Sequence, residues 1–353
     1  MIDANLNRSS EGLRFLEDVT RFLLNDAELS RRLRTLRHDL AQETKSLGVG
    51  PLSQRDSEHD VGAYMGASYE PEAKQSLQAL SSLVTANAKR VEESLRVIEE
   101  LAKLPEISSM LNSASFERTR FALYTLERDL ISRISRQDKI EGMAGLYVIL
   151  DKQSLMGRDE LGIAGQIIEG GASVIQLRDK QSEKGELLLV AQKLKELCSQ
   201  AGVLLIINDY LDLAMAVDAD GLHVGQEDLP LPVIRRELHI DKIVGCSVTT
   251  LSQATKAQDE GADYIAVGSI FPTTTKRRAI VVGVDMLKEL RRTVSTPLVA
   301  IGGINQNNVG EVVSAGADAV AVISAVLGEK DVKGAVQELI AKMDLAKEEC
   351  QSR

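Results

Sequence analysis

The stretch Phe271-Pro272-Thr273-Thr274-Thr275-Lys276 concentrates two chemistries in six residues. The hydroxyls of Thr273 and Thr275, two residues apart, are followed at once by the Lys276 ammonium, a compact donor cluster suited to phosphate oxygens. Alone, such a cluster also describes a solvated loop. It has company, however, because six other apolar runs end in polar groups. These ends are Gln176-Leu-Arg178-Asp-Lys180, Asn208-Asp209, His223-Val-Gly-Gln226-Glu-Asp228, Gly245-Cys-Ser247, Gly302-Gly303-Ile304 and Ile323-Ser324-Ala325. Strand alternation puts Gln176, Arg178 and Lys180 on one side. Arg178, Lys180 and Lys276 then supply cations, while Asp209 and Asp228 supply carboxylates. Cations with paired carboxylates suit a polyphosphate held partly by side chains and partly through Mg²⁺. Gly302-Gly303 and Ser324 offer a second site, for a single phosphate on backbone amides. Each feature has a plainer reading: helix N-caps for the two acids, a rim ion pair for Arg178 and Asp179, a tight turn for the glycines. The complementarity of the whole set favours one shared pocket.

The elements that would position these groups are legible between residues 143 and 344. Apolar runs alternate there with amphipathic segments: Leu146–Leu150, Ser173–Leu177, Leu204–Ile207, Gly221–Val224, Lys242–Val248, Tyr264–Ile270, Leu298–Ile301 and Ala319–Ile323. Continuous apolar runs, each followed by a helical pattern, imply a parallel sheet. A recurring Gly-Ala-Asp/Ser element (171–173, 261–263, 316–318) reads as a helix C-cap just before the next strand. Eight repeats suit a closed (β/α)8 TIM barrel, an α/β fold whose chemistry lies at the strand C-termini. An open doubly wound sheet would carry a Gly-rich first turn, and Asp151-Lys-Gln-Ser after Leu150 has none.

Residues 1–140 read as an all-α, bundle-like domain with an internal repeat. Ala4-Asn5-x-Asn7-Arg8-x-x-Glu11-Gly12-Leu13-Arg14-x-Leu16-Glu17-Asp18 matches Ala86-Asn87-x-Lys89-Arg90-x-x-Glu93-Ser94-Leu95-Arg96-x-Ile98-Glu99-Glu100. Leu33–Leu40 likewise resembles Leu123–Leu130. Leu13, Leu16, Phe22 and Leu23 on one helix, and Leu29, Leu33, Leu36 and Leu40 on the next, follow helical spacing. Asn25-Asp26 and Pro105 mark turns, so two copies predict a four-helix bundle. The polar loop 56–71, with Asn5, Arg8, Asn87 and Arg90, could close over an anion. The alternative is a surface linker beside helical ion pairs such as Arg8–Glu11 and Arg90–Glu93. No GxxxxGK[ST] or GxGxxG is present. Residues 345–353 are expected to form a C-terminal tail.

Composition narrows the function classes. A net charge of −10 argues against non-specific nucleic-acid binding and against an anionic membrane surface. With no Trp and 3% aromatic residues, base-stacking platforms are not expected. Three cysteines without a metal-type spacing fit a reducing compartment. The start Met1-Ile-Asp-Ala-Asn lacks the pattern of a secretory signal, and no run approaches membrane-spanning length. A cytoplasmic protein is the expectation.

Taken in order, the strand-end motifs between 143 and 344 resemble the thiamine phosphate synthase family, a transferase of thiamine biosynthesis. The resemblance implies coupling of 4-amino-2-methyl-5-(diphosphooxymethyl)pyrimidine with thiazole phosphate to give thiamine phosphate and pyrophosphate, with Mg²⁺ as cofactor. It implies that Asp209 and Asp228 hold the metal. It assigns Gln176, Arg178, Lys180, Asn208, Ser247 and Lys276 to the pyrimidine diphosphate, and Thr273, Thr275, Gly303, Ile323 and Ser324 to the thiazole phosphate. Arg178, Lys180 and Lys276 would carry the catalysis. Residues 277–283 are more basic and apolar than the family's usual continuation. The helical part resembles an accessory domain that the family links to hydroxymethylpyrimidine-phosphate kinase activity. A bundle that only pairs chains into a homo-oligomer is the alternative. For the barrel the alternatives are a thiazole tautomerase, which would lack the diphosphate cations and metal carboxylates, and a non-catalytic phosphate sensor.

Overall fold

The computed structural model describes residues 1–24, 26–45, 76–273 and 280–351. The chain divides into two compact units, 1–135 and 136–353.

In the first unit, α1 (Ile2–Asp18), α2 (Ala27–Glu43), α3 (Ser76–Leu101) and α4 (Ser113–Gly142) contribute to one core around Leu13, Leu33, Val91, Leu95 and Leu123. Asp26 starts α2 by accepting a bond from the Leu29 amide (3.0 Å), which satisfies an orphan donor. One expectation fails at the end of α1. Leu13 and Leu16 are buried, but Phe22 and Leu23 are 66% and 60% exposed. The helix passes into a π-helical turn at Val19–Leu23, where Leu24 N bonds Val19 O five residues back. The wider turn shifts the phase of the helix, so Val19 and Leu24 face the core instead.

The repeat extends to side-chain roles. Asn5 and Asn87 each donate to the carbonyl four residues back, Met1 O (2.9 Å) and Leu83 O (2.8 Å). Glu17 and Glu99, also equivalent, are both buried. Glu17 receives Arg34 and Arg37, each at 2.9 Å, and Glu99 receives Arg120 (3.0 Å), Arg96 (3.1 Å) and Lys103 (3.4 Å). A buried carboxylate is tolerated when it is paired in this way. Despite their burial, the guanidinium groups hold both carboxyls below the usual range. Arg8–Glu11 and Arg90–Glu93 are not ion pairs, and Arg90 instead donates to Asn87 Oδ1 (3.2 Å). Loop 56–71 and Asn25 lie outside the described residues.

In the second unit, β1 (Gly145–Asp151), β2 (Val174–Arg178), β3 (Leu204–Asn208), β4 (Gly221–Val224), β5 (Ile243–Val248), β6 (Tyr264–Val267), β7 (Leu298–Ile301) and β8 (Ala319–Val322) pair in chain order. All pairs are parallel and β8 closes on β1, giving a barrel without edges. Around it run α5 (Lys152–Leu155), α6 (Glu160–Gly170), α7 (Lys184–Ala201), α8 (Leu211–Ala216), α9 (Leu231–Glu237), α10 (Leu251–Asp259), α11 (Gly283–Thr293), α12 (Val309–Ser314), α13 (Ser324–Leu327) and α14 (Val332–Gln351). Alternation sorts the residues of each strand. Leu146, Val148 and Leu150 join the core shared with the helices, whereas Tyr147, Ile149, Val174, Ile206, Tyr264 and Ala321 fill the barrel interior. Ile140 and Met143, just before β1, pack into that interior cluster. Arg136 donates to Asp263 (2.8 Å) and to Ile240 O (2.9 Å).

Two element boundaries differ from expectation by more than one residue. β6 stops at Val267 rather than Ile270, because the backbone at Gly268 runs against Ile301 O, where a Cβ would come within 2.3 Å. Residues 345–351 are not a tail: they are the last turns of α14, with Ala346 buried.

Candidate active site

The C-terminal ends of the strands carry the polar set. At the end of β3, Asn208 is buried and Asp209 takes φ 62°, a left-handed conformation rare outside glycine that concentrates at functional sites. Its amide bonds His223 O (2.8 Å), which fixes it beside β4. The Asp209 carboxylate meets the Lys180 ammonium at 3.1 Å and stands next to Asp228. Burial first, and then the like charge of Asp228, raises the Asp209 pKa against the pull of Lys180. Asp228 in turn accepts from the Gly225 amide (2.7 Å), so the loop after β4 holds it in place. Neither acid caps a helix with its side chain; α8 and α9 begin at other residues.

Among the described residues no group of three or more His, Cys, Asp or Glu converges as a metal cage. Two adjoining carboxylates with oxygen donors only are nevertheless the kind of set that takes a hard divalent cation when ligand phosphates complete its shell.

Arg178 ends β2, and its guanidinium donates to Asp151, a buried carboxylate at the end of β1. Asp151 also accepts from the Ser154 amide (3.1 Å) and hydroxyl (2.7 Å). This anchor was missed in the sequence, where Asp151 looked like the first residue of a turn. Arg178 and Asp179 do not form a rim pair: Asp179 accepts from the amides of Gln181 (2.8 Å) and Ser182 (3.0 Å).

Further round, Gln176 and Ser247 approach the mouth from β2 and β5. Gln176 Nε2 donates to Tyr147 Oη (2.8 Å), and Ser247 Oγ lies 2.8 Å from His223 Nε2. Gln226 donates to Ser247 O (2.8 Å), tying the loop after β4 to the end of β5. Tyr147 and Tyr264 were not singled out in the sequence, and His223 entered only as the first residue of a polar strand end. The available signal was position: Tyr147 alternates in phase with Ile149 and Asp151, which puts it inside the barrel.

On the opposite side, the loops after β6 and β7 run together. Ile270 N bonds Ile301 O and Phe271 N bonds Gly302 O, both at 2.9 Å. At Gly303, φ is 68° and a Cβ would lie 2.5 Å from Pro272 O, so only glycine lets the two backbones meet beside Thr273. Asn308 Nδ2 holds Gly303 O at 3.0 Å. Ile323 and Ser324 stand at the start of α13. The return of the β6 loop closes on Ser269, whose amide bonds Ile280 O (3.1 Å) and whose carbonyl accepts from Val282 N (2.8 Å). Thr275 and Lys276 lie outside the described residues.

Comparison with known proteins matches both units. The model of the thiamine monophosphate synthase family matches residues 146–326, and that of the ThiD2 family matches residues 1–129. A thiamine-phosphate synthase of Thermosynechococcus vestitus is 36% identical over 346 residues, covering 97% of this chain and 94% of the relative. One of Shouchella clausii is 46% identical over 202 residues, covering 57% of this chain and 97% of the relative. Among solved structures, thiamine phosphate pyrophosphorylase from Pyrococcus furiosus aligns with TM-score 0.55 and 38% identity, covering 59% of this chain and 98% of that one.

Proposed function

Because the chain belongs to the thiamine-phosphate synthase family, we propose that its barrel couples 4-amino-2-methyl-5-(diphosphooxymethyl)pyrimidine with thiazole phosphate, forming thiamine phosphate and pyrophosphate. The Shouchella clausii relative supports assigning this activity to the barrel. Its 202 aligned residues exceed the length of unit 1–135, so the alignment must draw on the barrel.

The reaction breaks the methylene C–O bond, and the electron pair leaves with pyrophosphate. The amino group of the pyrimidine feeds electron density to the methylene carbon, and the lone pair of the thiazole nitrogen then forms the new C–N bond. The protein's part is to hold the two partners in line and to stabilise the departing charge. Lys180 and Arg178 do the latter, joined by Lys276, with Asn208 alongside. Gln176 and Ser247 hold the pyrimidine. Thr273, Gly303, Ile323 and Ser324, with Thr275, bind the phosphate of the thiazole. Asp209 and Asp228 would hold Mg²⁺, which adds positive charge against the leaving pyrophosphate.

The observation that carries this reading is the meeting of Asp209, Asp228 and Lys180 at the ends of β2, β3 and β4, with Asp209 raised in pKa by burial and then by its neighbour. A coupled pyrophosphate assay tests it. Release is expected only with both substrates and Mg²⁺; tight binding of the pyrimidine diphosphate without release would instead mark a phosphate sensor.

For the helical unit, the ThiD2 match supports phosphorylation of hydroxymethylpyrimidine phosphate to the diphosphate. Full-length protein given the monophosphate, thiazole phosphate and ATP should then make thiamine phosphate. A strict need for preformed diphosphate would leave the unit as a bundle that pairs chains. Among the described residues no helix is long and apolar enough to cross a membrane. Free Cys198, Cys246 and Cys350 suit a cytoplasmic site of action.

A further inference from the structure

Five side chains form a continuous hydrogen-bonded path through the barrel interior. Gln176 Nε2 donates to Tyr147 Oη (2.8 Å), whose hydroxyl lies 3.0 Å from that of Tyr264. Tyr264 Oη lies 3.0 Å from His223 Nδ1, and His223 Nε2 lies 2.8 Å from Ser247 Oγ. The path draws on β2, β1, β6, β4 and β5. Its three inner members are buried, and the His223 and Tyr264 rings stack with centroids 5.5 Å apart. Gly245 makes room for the arrangement: a Cβ there would lie 1.9 Å from Tyr264 Cζ.

Proton bookkeeping gives the path a direction. Tyr147 Oη accepts from Gln176, so its own proton goes to Tyr264. The Tyr264 proton goes to His223 Nδ1. The imidazole is buried and its two ring nitrogens face hydroxyls, so in the neutral ring an accepting Nδ1 requires the proton on Nε2. Nε2–H then donates to Ser247 Oγ. Reversing any one link alone would set two lone pairs, or two protons, against each other inside the barrel. The outcome at the ends is fixed: Gln176 Oε1 remains an acceptor and the Ser247 hydroxyl proton remains a donor.

We infer that Tyr147, Tyr264 and His223 are positioning residues that lock the polarity of Gln176 and Ser247, matching one acceptor and one donor to the edge of a 4-aminopyrimidine. This rests on the proposed seating of the pyrimidine at those two residues. The edge of a 4-aminopyrimidine offers an amino N–H beside a ring nitrogen lone pair. A 4-oxopyrimidine offers the reverse, a carbonyl beside a ring N–H. To serve the reversed edge, every bond in the path must turn over together, including a flip of the Gln176 amide and a change of the His223 tautomer.

The test compares two unreactive ligands as competitive inhibitors of the full-length protein: 4-amino-5-hydroxymethyl-2-methylpyrimidine and its 4-oxo counterpart. Wild type should bind the amino form about thirtyfold more tightly. Tyr264→Phe keeps the ring and cuts the path in the middle, so the ratio should fall to about threefold or less. Tyr147→Phe, which removes the acceptor for Gln176, should do the same. A purely structural role for the tyrosines would weaken both ligands alike and leave the ratio unchanged, and that result in both folded variants overturns the inference. Equal binding of the two ligands by wild type overturns it as well. Wild type that binds neither ligand, or does not release pyrophosphate from the diphosphate, strikes at the seating of the pyrimidine, and the inference falls with it.

Discussion

Charge is arranged in opposite ways in the two units. In the helical unit the buried acids are matched from within: Glu17 by Arg34 and Arg37, Glu99 by Arg120, Arg96 and Lys103. At the barrel mouth two carboxylates stand side by side, and burial together with the like charge of the other raises the pKa of Asp209. The first arrangement is closed and favours folding. The second is held under mutual repulsion, which a bound cation would relieve. One pair breaks the contrast, because Glu92 and Glu127 face each other inside the helical unit and push Glu92 up to about 7, burial being the larger cause.

The contrast can be broken hardest at Glu99. Glu99→Ala leaves Arg120 buried without its main partner and should cost the helical unit about 3–5 kcal/mol. Hydrogen exchange of α3 and α4 should rise sharply while synthase turnover persists. Acid sharpens the comparison next. His223 has a folded pKa of about 4, below its ordinary 6.5, so the unfolded chain takes the proton first. The barrel therefore loses stability as pH falls from 6.5 to 4, by about 3 kcal/mol in all. Glu17 and Glu99, lowered from 4.5, keep their contribution until pH drops below that value. Between pH 6.5 and 4.5 denaturant titration should show the barrel softening while those two pairs hold.

At the mouth, Lys180→Ala should lower pyrophosphate release about a hundredfold with little change in unfolding midpoint, since its side chain is 55% exposed. An unchanged rate would remove Lys180 from the proposed chemistry. The smallest effect belongs to the exception. Raised above 4.5, Glu92 favours folding in its protonated form, a contribution lost as pH rises through about 7. Glu127→Gln should therefore raise the unfolding midpoint slightly at pH 8 and leave it unchanged at pH 5.

The strands were legible because each needs an unbroken apolar run, and glycine caps at 171, 261 and 316 all take positive φ as expected. The end of β6 was not, since Ile270 is buried without belonging to a strand and hydrophobicity reports burial alone. Phe22 and Leu23 misled for a related reason: a π-helical turn changes the period that the pattern assumes. At the site, cations and acids near one another on successive strand ends could be read as a set. The Tyr147–Tyr264–His223 path could not, because a tyrosine inside a barrel looks like packing until its hydroxyl partners, 117 and 41 residues apart along the chain, are brought together.

The turns just upstream of β1 carry a practical lesson for dissecting the chain. Ile140 and Met143 belong to the same buried cluster as Tyr147 and Tyr264, and Arg136 supplies one of the two guanidinium groups that neutralise Asp263; Arg235 is the other. A truncation beginning at 143 would strip Ile140 from that cluster and leave a fully enclosed aspartate half compensated. Scissors placed ahead of Arg136 would spare both, so a weak synthase fragment with a later start would report a damaged foundation rather than a missing partner domain.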